Sequence, residues 1–133
     1  MQRKKKILLI DDDRDFLFAT KMILEKGGYE VFLAEGGKAG VEMWKSVAPD
    51  LVIIDMMMET WGEGFSVLQK IRTTDAGKDT PLFILSAVDL QGPHNGFETP
   101  PEFPRVNAVF HKPVKAEDLL GRIAHELGGK EQP

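Results

Sequence analysis

Short apolar runs alternate with longer stretches whose apolar residues recur at helical spacing. Ile7-Leu8-Leu9-Ile10 is an unbroken run between lysines and aspartates, and its length and branching predict a strand buried on both faces. Phe16, Ala19, Thr20 and Ile23 then share a helical face, with Asp12 or Asp13 as its cap and Gly27-Gly28 as its stop. Val31-Phe32-Leu33-Ala34 predicts a second strand, and Val41, Trp44 and Ala48 a second helix ended by Pro49. Leu51-Val52-Ile53-Ile54 is a third buried strand, followed by a helix carrying Phe65, Leu68 and Ile71. Pro81 opens a fourth strand, Leu82-Phe83-Ile84-Leu85, and Val106 to Phe110 is a fifth. Ala116, Leu119, Leu120, Ile123, Ala124 and Leu127 form a last amphipathic helix, closed by Gly128-Gly129.

This alternation predicts an α/β fold: a doubly wound, five-stranded parallel sheet with helices on both faces. Right-handed crossovers then gather ligands outside the carboxyl ends of the strands. A fourth helix is due between Val88 and Arg105, but Gly92, Pro93, Gly96, Pro100, Pro101 and Pro104 stand there instead. Each interior proline would cost a helix about 3 kcal/mol, so residues 91–105 are expected to be an irregular, mobile loop with at most a turn near Val88 to Gln91. The fourth helix is thus degenerate or absent. The whole chain, 1–133, is expected to be one domain with a core of about 5–128 and a frayed tail over 130–133.

Composition narrows the function. With 42% hydrophobic and 29% charged residues in 133, there is material for one core. Lys plus Arg is 17 against 21 Asp plus Glu, a net charge of −4, which argues against nucleic-acid binding through the general surface. The absence of cysteine excludes disulfides, thiolate nucleophiles and zinc–cysteine or iron–sulfur sites. The apolar runs are too short to cross a bilayer, and the basic run Arg3 to Lys6 precedes too short an apolar stretch for a signal peptide. A cytoplasmic protein with no membrane insertion is expected.

The chemistry collects where strands end. The first strand ends in Asp11-Asp12-Asp13, the third in Asp55, the fourth in Ser86 and the fifth in His111-Lys112-Pro113. In a parallel sheet these residues share one rim. Clustered carboxylates repel one another, and a hard divalent cation with few protein ligands and retained waters resolves the repulsion, which suits magnesium. With a lysine across the cleft, the set reads as metal-assisted phosphoryl transfer. Taken singly, each residue has a plain structural explanation. The aspartate run is a helix cap, Asp55 a turn residue, and Lys112-Pro113 a loop start. Their joint occurrence at four strand ends favours the chemical reading.

The order and spacing of Ile7 to Asp13, Pro49 to Met58, Leu85-Ser86-Ala87 and His111-Lys112-Pro113-Val114 resemble the receiver domains of two-component response regulators along nearly the whole chain. The resemblance implies the flavodoxin-like strand order 2-1-3-4-5. It implies that a sensor histidine kinase or a phosphotransfer protein donates a phosphoryl group from its own histidine. By position, Asp55 is the acceptor; Asp12 and Asp55 would bind Mg2+ directly and Asp11 through water, with the Met57 carbonyl completing the protein ligands. Lys112 would contact the phosphoryl group and Ser86 would hydrogen-bond it, drawing the following loop along.

The chain also departs from that family. Glu59 stands where a proline usually lies, one residue is inserted before Gly64-Phe65, and Val109 replaces a frequent aromatic, with Phe110 expected on the other side of its strand. His111 is expected to be partly buried, and His125 and His94 have no metal-ligand company. The reading is a stand-alone receiver acting in trans on a downstream protein, without direct nucleic-acid binding, and not an enzyme beyond its own phosphorylation and dephosphorylation. The rivals are a degenerate receiver that binds partners without phosphate, and a magnesium-dependent aspartyl-phosphate phosphohydrolase. The latter usually needs an acid where Met57 stands.

Overall fold

The structure is a computed structural model that describes residues 3–55, 61–86 and 105–128. Five strands, β1 (Lys6–Ile10), β2 (Glu30–Ala34), β3 (Leu51–Asp55), β4 (Leu82–Ser86) and β5 (Ala108–His111), form one parallel sheet in the order β2-β1-β3-β4-β5. This is the doubly wound, flavodoxin-like order. The described helices are α1 (Arg14–Lys26), α2 (Gly37–Val47), α3 (Trp61–Arg72) and α4 (Ala116–Glu126). The segment expected to be irregular, 91–105, and the turn near Val88 lie outside the described residues, Arg105 excepted. So does the 130–133 tail. Among the described residues no helix is long and apolar enough to cross a membrane.

Period-two alternation divides the strand side chains between two cores. Leu8, Ile10, Val52, Ile54, Leu82 and Ile84 meet Trp44 of α2 and Val67, Leu68 and Ile71 of α3. Ile7, Leu9, Leu51, Ile53, Phe83 and Leu85 meet Leu17 and Leu24 of α1 and Leu119 and Ile123 of α4. Both faces of the three inner strands are therefore covered, which is why their sequences are unbroken apolar runs. Phe110 does face away from Val109: it packs at 5.6 Å on Phe83 in the second core, while Val109 packs on the first.

Several expectations need correction. Leu17, Thr20 and Leu24 form the buried stripe of α1; Phe16 and Ile23 flank it at half burial, and Ala19 is exposed. Ala48 is no core residue: it is the exposed left-handed cap of α2, at φ 53°, its N–H donating to the Trp44 carbonyl. Ala116 is likewise exposed, the core side of α4 being Leu119 and Ile123. β5 begins two residues later than expected, because the Asn107 side chain occupies the ladder, its Oδ1 accepting from the Leu82 N–H at 2.9 Å. His111 is exposed rather than partly buried, since β5 is an edge strand and this is its last residue.

Candidate functional site

Strand register sets the carboxyl rim. Ile10 pairs with Ile54, which brings Asp11, the next residue, level with Asp55. Asp55 pairs with Leu85 and Ser86 with His111, so Lys112 lies just past the end of its strand. The ladder extends far enough to fix these residues: the Asp11 N–H donates to the Ala34 carbonyl at 3.1 Å and the Lys112 N–H to the Ser86 carbonyl at 2.7 Å. By alternation Asp11, Asp55 and Lys112 are in phase with the face covered by α1 and α4. Ser86 is in phase with Leu82 and Ile84 on the other face.

The side chains converge accordingly. Asp11 and Asp55 are 2% and 4% exposed, Ser86 is fully buried, and Asp12 faces solvent. Oxygen atoms from Asp11, Asp12 and Asp55 all lie within 4.8 Å of one another. The Lys112 ammonium lies 2.9 Å from Asp11 Oδ2 and 3.6 Å from Asp55 Oδ2, and 4.2 Å from the centroid of the Phe16 ring. The other Asp11 oxygen, Oδ1, accepts from the Asp13 N–H at 2.9 Å. Asp13 is the N-cap of α1, its carboxylate accepting from the Phe16 N–H at 3.1 Å. The positive end of the α1 dipole thus opens beside the carboxylates.

Among the described residues, three carboxylates meet one ammonium, so the net charge of the cluster is 1 − 3 = −2. Asp11 is already occupied on both oxygens, whereas no described residue hydrogen-bonds or ion-pairs the exposed Asp12 carboxylate. A hard-oxygen donor set with surplus negative charge and an open, solvent-facing side fits a small divalent cation that keeps several waters. Met57 lies outside the described residues, so the expected carbonyl ligand does too. The structure brings together Asp11, Asp12, Asp55 and Lys112 and places Ser86 on the same rim.

Two contacts escape a reading of the sequence. Phe16 stands at an apolar helical position, and nothing in that spacing tells a core ring from one laid against an ammonium. Glu63, in the first turn of α3, accepts the Gly37 N–H at 2.7 Å and so caps α2, whose own N-cap, Gly36, offers no side chain. A Cβ on Gly37 would come within 2.8 Å of Glu63 Cγ, so the missing side chain is what admits this cap.

Comparison with known proteins agrees with the geometry. A family model described as the response regulator receiver domain matches residues 7–124. The transcriptional regulator RpaA of Synechocystis is 30% identical over 119 residues, 89% of this chain and 47% of that protein. The response regulator MprA of Mycolicibacterium vanbaalenii is 36% identical over 89% of this chain and 48% of its own length. The chain therefore spans about half the length of these curated relatives. Among solved structures, a CheY-like receiver domain protein from Methanospirillum hungatei superposes with a TM-score of 0.79 at 27% identity, covering 98% of both chains. The chemotaxis regulator CheY4 of Vibrio cholerae shares the fold at a TM-score of 0.80 and 23% identity, covering 93% of this chain and 99% of its own.

Proposed function

The chain belongs to the response regulator receiver family of two-component signalling, and from that premise we propose that it takes a phosphoryl group onto Asp55 from the phosphohistidine of a sensor kinase or phosphotransfer protein. The observation that carries this is the Asp11, Asp12 and Asp55 cluster closed by Lys112 on the carboxyl rim. An Asp55 carboxylate oxygen attacks phosphorus and forms the acyl phosphate bond. The phosphorus–nitrogen bond of the donor breaks, and its electron pair stays on the imidazole nitrogen, which then takes a proton. Lys112 neutralises charge on the phosphoryl oxygens, and the Ser86 hydroxyl donates to one of them. Asp12 and Asp55, with Asp11 through water and the Met57 carbonyl, would hold Mg2+, which supplies charge neutralisation at the transferring group.

In this reading catalysis extends only to the protein's own phosphorylation and to hydrolysis, in which water attacks phosphorus and Asp55 leaves as a carboxylate. The output is delivered in trans to a downstream protein in the cytoplasm, without direct contact with nucleic acid. The net charge of −4 supports the absence of nucleic-acid contact. The longer relatives, among them a DNA-binding regulator, favour a second reading, in which the same domain governs an attached output.

Incubation with a small phosphodonor and magnesium, followed by intact mass and mapping of the adduct, tests the proposal. A stable adduct on Asp55 supports it. Turnover to free phosphate without an adduct would favour a phosphohydrolase, and no change at all a phosphate-independent interaction module.

A further inference from the structure

Lys112 needs to be held at a defined place, yet its four-carbon stem carries much rotamer freedom. The two carboxylates alone do not hold it symmetrically: the ammonium is 2.9 Å from Asp11 and 3.6 Å from Asp55. Among the described residues, the other side chain laid against the ammonium is Phe16, its ring centroid 4.2 Å from Nζ, well inside the range of a cation–π contact. The Lys112 side chain is only 18% exposed, so water competes weakly for the ammonium there.

We propose that Phe16 is a positioning residue, whose ring face holds the Lys112 ammonium over Asp11 and Asp55 and keeps it held as it shifts toward a phosphoryl group on Asp55. This rests on the phosphoacceptor reading above. The contacts close on themselves. Asp11 takes the Asp13 N–H, Asp13 takes the Phe16 N–H, the Phe16 ring lies on Lys112, and Lys112 bonds to Asp11. The turn that fixes the buried carboxylate therefore also fixes the ring. The ring face is a continuous negative surface, so sliding along it costs the ammonium less than leaving one carboxylate for another through water. Packing alone does not call for an aromatic here, because Phe16 only flanks the buried stripe of α1 and a leucine or methionine would fill the position.

Phe16→Leu removes the π face and keeps apolar bulk, Phe16→Met serves as a second such variant, and Phe16→Tyr keeps the face. With a small phosphodonor and magnesium, initial phosphoryl uptake should fall about fivefold in Leu and Met, equivalent to about 1 kcal/mol, and stay within about twofold in Tyr. In side-chain-labelled protein, the Lys112 Cε protons should lie upfield from the ring current in wild type and Tyr, and return to ordinary positions in Leu and Met. Normal uptake in Phe16→Tyr shows that a ring is required at this position, and the Lys112 shift shows that the ring face lies on the ammonium. Wild-type uptake in both Leu and Met, or unmoved Lys112 resonances, would overturn the inference. A wild-type protein that accepts no phosphoryl group would instead overturn the phosphoacceptor reading, and the resonances would still decide whether Phe16 holds the ammonium.

Discussion

The two ends of the sheet both gather charged and polar side chains, but they balance them in opposite ways. At the amino edge of β4 and β5, Arg72 donates to the carbonyls of Arg105, Gly77, Lys78 and Thr80 and to Asn107 Oδ1. Asn107 donates to Glu126, and Arg122 donates to both the Asn107 carbonyl and Glu126. Burial, with the Arg105 charge nearby, holds the Arg72 guanidinium below its ordinary pKa, against a smaller opposing pull from Asp79. It remains a cation at neutral pH, used to satisfy the carbonyls of a tight turn. At the carboxyl edge three carboxylates share one ammonium. A saturated network specifies one geometry, whereas a site with surplus charge is completed by something that arrives. The first arrangement is structural and the second is chemical.

The sharpest separation is in phosphoryl chemistry. Asp55→Asn should abolish the adduct altogether, because Asp11, the other buried acid beside the lysine, has both oxygens engaged by the Asp13 N–H and the Lys112 ammonium, and Asp12 makes no contact with that lysine among the described residues. Arg72→Ala should leave the acceptor unchanged. Intact mass after treatment with a phosphodonor and magnesium checks both, and an adduct persisting in Asp55→Asn would break the assignment.

Stability should respond the other way. Arg72→Ala strands the Thr80 carbonyl and takes one of two donors from the Gly77 carbonyl and from Asn107 Oδ1, so a loss of about 1–3 kcal/mol is expected. Urea unfolding measures it as a shift in midpoint at constant slope. A loss under about 0.5 kcal/mol, ordinary for a surface position, would show that the amino edge is not a saturated network.

These two ends were not equally legible from the residues. The inner strands were plain, because Ile7 to Ile10, Leu51 to Ile54 and Leu82 to Leu85 are buried on both faces and leave no polar position to blur the pattern. The rim followed from that, since Asp11, Asp55 and Ser86 are the residues that come next, and Lys112 follows the edge strand β5. The expected edge position of β2 also follows from the topology. Helix faces were read less well: Ala19, Ala48 and Ala116 fit an apolar spacing but are too small to show which side they take. The amino-edge network stayed hidden because Arg72 and the Asn107 side chain join across 35 positions of sequence, and the other partners of Arg72 are backbone carbonyls, which carry no residue signature. The Glu63 cap on α2 is hidden for the same reason, its partner lying 26 positions away.

Metal dependence sharpens the contrast at a smaller scale. Magnesium at about ten times its dissociation constant should stabilise the protein by about 1.4 kcal/mol if it binds only the folded state. Affinity should be modest, since few protein ligands are present, and should depend on Asp12, the carboxylate left open to solvent. Calorimetry of wild type against Asp12→Ala is the direct measurement. Undiminished affinity in the variant would remove Asp12 from the site.

The smallest effect carries the most information about charge, because its sign differs between the two edges. Without divalent cations, Asp12→Asn relieves repulsion within the three-carboxylate cluster and removes no hydrogen bond to the described residues. It should therefore stabilise the protein, by no more than about 0.5 kcal/mol because Asp12 is exposed and screened. Glu126→Gln at the opposite edge should destabilise, since Glu126 there answers both Arg122 and Asn107. Urea unfolding in chelator at low salt measures both, and the Asp12→Asn gain should shrink as salt is added and reverse once saturating magnesium favours the wild type. A loss of stability in metal-free Asp12→Asn would mean that the carboxyl edge holds no surplus negative charge, and the distinction between the two ends would fail at its root.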